Sequence, residues 1–71
     1  MTIILYALKC DEGYIRQQEN SLRIVDMQKA SVFKNIIDLH PLIKRASDIE
    51  DIHPVELTII ERKITIREME T

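Results

Sequence analysis

Val55-Glu56-Leu57-Thr58-Ile59-Ile60-Glu61-Arg62-Lys63-Ile64-Thr65-Ile66 is the stretch that decides how this chain folds. Apolar residues fall there at every second position and most are β-branched, the pattern of a half-buried strand. The spacing predicts one long strand from about Val55 to Arg67. Its inward set changes parity on the way: Val55, Leu57 and Ile59 share one, while Ile60, Ile64 and Ile66 share the other. A bulge near Ile59-Ile60 would reconcile the two halves. Alternatively, the second half buries its opposite face in a partner chain.

Upstream, Thr2–Lys9 is apolar on both alternating sets, with Ile3, Leu5 and Ala7 on one and Ile4, Tyr6 and Leu8 on the other. A strand covered on both faces reads this way, which places it centrally. Cys10-Asp11-Glu12-Gly13 is a turn in which Gly13, the only glycine, supplies a positive φ. Tyr14–Gln18 returns as a shorter, more polar strand of the kind found at an edge. After the turn Gln18-Glu19-Asn20-Ser21, Leu22–Val25 is either a third short strand or the continuation of a bent hairpin. In the connector Asp26–Phe33, Ala30, Val32 and Phe33 are expected to tuck into the core, with Asp26 accepting a hydrogen bond from the turn backbone.

Ile36, Leu39, Leu42, Ile43, Ala46 and Ile49 then follow at helical spacing, forming one continuous face. Pro41 interrupts the pattern, and an interior proline costs about 3 kcal/mol. An N-cap at Asp38 would bring Pro41 into the first turn, where it loses no intrahelical bond. An N-cap at Asn35 is the alternative. The helix fades through Asp48-Ile49-Glu50-Asp51-Ile52-His53, and Pro54 bars its continuation. The fold expected is a single α+β domain over residues 1–71: an antiparallel sheet of three to four strands in the order β-β-(β)-α-β. One helix packs on one face, and the last strand lies beside the first.

Composition narrows the function classes. At 71 residues the chain holds one core, and folding buries only roughly 60% of its surface. Cys10 is the only cysteine, so no disulfide forms within the monomer, and a lone thiol fits a reducing, cytoplasmic setting. No apolar run approaches the roughly 18 residues of a membrane span. Met1–Leu8 lacks a basic leader and a cleavage site, and reads as strand. The net charge of −2 and the absence of a Lys/Arg stripe disfavour direct nucleic-acid binding.

No residue set reads as catalytic, cofactor-binding or metal-binding. Cys10 sits between Lys9 and the acids Asp11 and Glu12, which favour its neutral form; an ordinary half-buried thiol is expected. His40 and His53, with Asp38 and Asp51 nearby, lack the converging local spacing of a zinc site. Asp38-Leu39-His40-Pro41-Leu42 and Asp51-Ile52-His53-Pro54-Val55 share one pattern, which suits the start of an element twice. Its functional counterpart is a paired-histidine surface titrating near neutral pH. With one glycine there is no phosphate loop.

The candidate partner-binding residues are Asp48, Glu50, Asp51 and Glu56, a run of acids without a Lys or Arg among them. Acids at a helix C-terminus oppose the macrodipole. Such a conflict marks either an acidic patch for a basic protein surface or a solvated junction guarding a strand edge.

Tyr14-Ile15-Arg16, Ile24-Val25-Asp26 and Lys29-Ala30-Ser31-Val32-Phe33, followed by a helix and a closing strand, give a layout that resembles short α+β proteins of bacteriophages and prophages. The resemblance implies a small protein that modulates or inhibits a host protein, and it carries over no site residues. The function expected is therefore a non-enzymatic protein–protein interaction module. The alternative is a homodimer whose long strands pair across a two-fold axis. An enzyme using Cys10 or the histidines comes last.

Overall fold

A computed structural model describes residues 1–69 of the chain. Five strands form one antiparallel sheet: β1 (Thr2–Cys10), β2 (Gly13–Gln17), β3 (Leu22–Val25), β4 (His53–Ile60) and β5 (Lys63–Glu68). Their order across the sheet is β3-β2-β1-β4-β5. A helix, α1 (Ile36–Arg45), and a single 3₁₀ turn, Met27–Lys29, complete the fold.

The α+β class, the central position of β1 and the placement of the last segment beside it are as the pattern predicts. The strand count is not. Val55–Arg67 is a hairpin, with Ile60 opposite Lys63 and a turn at Glu61-Arg62. Both turn residues have positive φ, 47° and 70°, as a two-residue type I′ turn requires. No bulge is needed. The turn reverses the chain, so Ile59 faces Ile64 and Leu57 faces Ile66, all on one side of the sheet. The parity change from Ile59 to Ile64 is the reversal itself, whereas Ile60, expected to share a side with Ile64 and Ile66, lies on the opposite face in register with Thr2 and Lys63.

Leu22–Val25 is a separate strand, which makes β3 the edge and β2 an interior strand. β2 nevertheless meets β1 only at Lys9↔Tyr14 and Cys10↔Gly13. Beyond that the two diverge, and Ser31–Phe33 fills the gap. The Tyr6 N–H donates to the Phe33 carbonyl at 2.8 Å, and the Phe33 N–H donates back at 2.9 Å. On the other side the Ser31 N–H donates to the Ile15 carbonyl, and the Gln17 N–H donates to Ser31 Oγ at 2.8 Å. These bonds satisfy backbone that β1 and β2 leave unpaired. Phe33 and Ala30 are half-buried as expected, whereas Val32 points outward and is exposed. The 3₁₀ turn closes through the Asp26 carbonyl, not its side chain.

α1 starts one turn earlier than an Asp38 cap would allow. Asn35 is the N-cap, and Pro41 is the sixth helical residue. Its missing N–H would have bonded the Ile37 carbonyl, and Ile37 is exposed, so water can take that acceptor. The helix ends at Arg45, with Lys44 and Arg45 in its last turn. The expected clash between acids and the macrodipole is thus absent: the dipole end carries two cations, and Asp48 onward lies outside the helix.

Two clusters hold the sheet, one on each face. On the helix face, Leu8, Cys10, Ile15, Leu39, Leu42 and Ala46 are buried, with Ile36, Ile43 and Ile49 packed against them. All six periodic positions therefore serve the core, but only Ile36, Leu39, Leu42 and Ile43 lie within α1; Ala46 is its C-cap and Ile49 lies in the turns beyond. On the opposite face, hereafter the 3₁₀ face, Ala7, Tyr14, Val55 and Leu57 are buried beneath Met27 and Ala30.

Candidate interaction surfaces

The cover on both faces stops partway along β1. Ala7 and Leu8 are fully buried, while Ile3 and Ile4 are each 45% exposed. From there β1, β4 and β5 continue as a three-stranded arm. Strand register sorts its side chains into rows. On the 3₁₀ face, one row is Ile3, Ile59 and Ile64, and the next is Leu5, Leu57 and Ile66. Leu57 forms the floor, and Ile64 and Ile66 are 43% and 42% exposed. The two rows contain six aliphatic side chains and no polar one. On the helix face, the corresponding rows are Thr2, Ile60 and Lys63, then Ile4, Thr58 and Thr65, then Tyr6, Glu56 and Arg67. One face of the arm has the composition of a core and the other that of a surface.

The acidic candidates separate in space. Asp48, Glu50 and Asp51 occupy the turns between α1 and β4. Glu56 lies within β4, opposite Arg67, whose Nη2 donates to Glu56 Oε2 at 3.0 Å. Glu50 and Asp51 instead meet the β1–β2 turn, where Cys10, Asp11, Glu12 and Ile24 join them and Ile49 around a cleft of about 190 Å³. Asp11 and Glu12 lie outside the acidic run Asp48–Glu56, and no spacing in the sequence links them to a loop 40 residues away.

Within this cleft rim Asp11 and Asp51 interact directly. Side-chain hydrogen bonding with Asp11, then the like charge of Asp11, then slight desolvation raise the Asp51 carboxyl from its ordinary value, against an opposing pull from His53. Asp51 also has a positive φ of 61°. His53 bridges this loop to the sheet edge: Nδ1 lies 3.0 Å from the Asp51 carbonyl, and Nε2 lies 3.2 Å from Glu68 Oε1. The carbonyl can only accept, so Nδ1 carries the hydrogen there.

Cys10 is buried, not half-buried, at the base of the cleft. His40 is exposed on α1, and the hydrogen bonds of His53 go to Asp51 and Glu68. The repeated Asp-aliphatic-His-Pro-aliphatic pattern starts an element only once, at β4; its first copy lies within α1. Among the described residues no group of three or more His, Cys, Asp or Glu is placed to hold a metal ion. None of the described helices is long and apolar enough to cross a membrane.

No family model matches the chain, and no curated protein or solved structure matches it either.

Proposed function

We propose that this protein is a non-enzymatic binding module that works by protein contact, with the 3₁₀ face of the arm as its docking surface. The observation that carries this reading is the two-row aliphatic face, set on paired strands and left partly uncovered where Ala7 and Val55 on the same face are buried. A sheet face of that composition is stable in water only at the cost of exposed apolar area, and such patches mark contact sites. The phage-type layout supports a host protein as one source of partner.

A second reading keeps the acidic cleft as a separate docking point for a Lys or Arg side chain of a basic partner. It is favoured by the Asp11–Asp51 pair, whose mutual repulsion an incoming cation would relieve. Carboxyl pairs sharing a proton also serve acid–base catalysis; here both carboxyl groups are exposed at the rim of the cleft.

Immobilised protein challenged with bacterial lysate and, separately, with its own labelled chain tests both readings. Ile64→Lys is expected to remove capture, and Thr65→Lys, on the other face of the same strand, to retain it. Loss of capture on reversing Asp11, Glu50 and Asp51, with Ile64→Lys neutral, would move the docking surface to the cleft.

A further inference from the structure

We infer that the occupant of the arm's 3₁₀ face is the same face of a second copy, the two stacking as a small β-sandwich about a two-fold axis. The inference rests on the contact reading above and names its partner. An isologous contact must be complementary to itself. The rows Ile3-Ile59-Ile64 and Leu5-Leu57-Ile66 meet that condition, because they contain no charge to repel its own image.

Area supports the same partner. Three strands spaced about 4.8 Å apart and two rows about 7 Å apart make an apolar patch on the order of 300 Å². Two such patches with their rims approach the ~1,000 Å² of the smaller specific interfaces, the range of weak, reversible contacts.

The rim tolerates the same contact. Glu61 and Arg62 share the turn at one end of the arm, and Glu68 at the other, in register with Val55, lies 3.2 Å from His53 Nε2. Neither end thus presents a single-sign cluster to its own image. The other open edge, β3, is a poorer self-contact because Arg23 sits in the middle of its short run.

Ile3 and Ile4 provide a matched test, since they are adjacent, equally exposed and on opposite faces. Sedimentation equilibrium of the full chain is expected to show a monomer–dimer equilibrium that Ile3→Asp weakens by about tenfold or more, while Ile4→Asp leaves it within about twofold. Should Ile3→Asp fail to fold, judged by circular dichroism, Ile66→Lys against Thr65→Lys asks the same question on β5. A wild-type monomer at high micromolar concentration would overturn the inference. So would a dimer that survives Ile3→Asp, which would point to β5 edges pairing instead. Face-dependent capture of a lysate protein by a chain that stays monomeric would overturn the second copy and leave the contact reading standing.

Discussion

β1 passes through two environments that differ in cover and not in sequence character. Its second half, Ala7 to Cys10, lies between α1 on one face and the Met27–Ala30 segment on the other, and three of its four residues are buried. Its first half, Thr2 to Ile4, is just as apolar and is exposed. Alternation alone therefore tells which residues share a face, and not whether that face is covered within the chain. The uncovered half is where no other element of the chain packs over the strands. In our reading it is also where the protein works.

The contrast should break first in stability. Leu8→Ala removes a fully buried side chain from the helix-face core and is expected to cost about 2–5 kcal/mol in urea unfolding. Ile3→Ala on the same strand, measured in dilute solution, should cost roughly 1 kcal/mol or less. Gly13→Ala should come next. Its Cβ would stand 2.7 Å from the Val25 carbonyl oxygen, and its φ is +155°, so a loss of about 1–3 kcal/mol is expected. In the arm the sign reverses: Glu61→Asn with Arg62→Gly suits the positive-φ turn, and should raise stability by about 1 kcal/mol.

The smallest effect concerns the cleft. Asp51 holds its proton to higher pH when folded than when unfolded. The associated stability is full below the unfolded pKa and is lost as pH rises through the raised folded value. Going from about pH 4 towards neutral should therefore erode stability, and Asp11→Asn should flatten that slope and raise the urea midpoint at neutral pH.

Most of the covered half was legible in the sequence. The six periodic positions from Ile36 to Ile49 all meet the core, four of them on α1, where burial imposes the helical period, and two just past its end. The two apolar sets of β1 announce its central place. The arm was harder to read because its turn lacks the usual signal. Glu61-Arg62 occupies a conformation that Asn-Gly favours, so a hairpin looked like one bulged strand. β2 passed for an edge since its partner there is partly the Ser31–Phe33 segment, whose pairing depends on tertiary structure. Of the two caps the sequence offers α1, Asn35 is the one used, because the backbone acceptor that an interior Pro41 leaves free belongs to an exposed residue, Ile37. The acidic cleft combines two distant turns, and only the folded chain brings Asp11 to Asp51.

Methyl-resolved NMR on isoleucine-labelled protein, followed through a dilution series, tests the central claim most directly. The account predicts that Ile3, Ile59, Ile64 and Ile66 shift together as concentration rises, while Ile4 and Ile60 on the reverse of the arm stay fixed. Concentration-independent spectra, or shifts confined to Ile4 and Ile60, would contradict it.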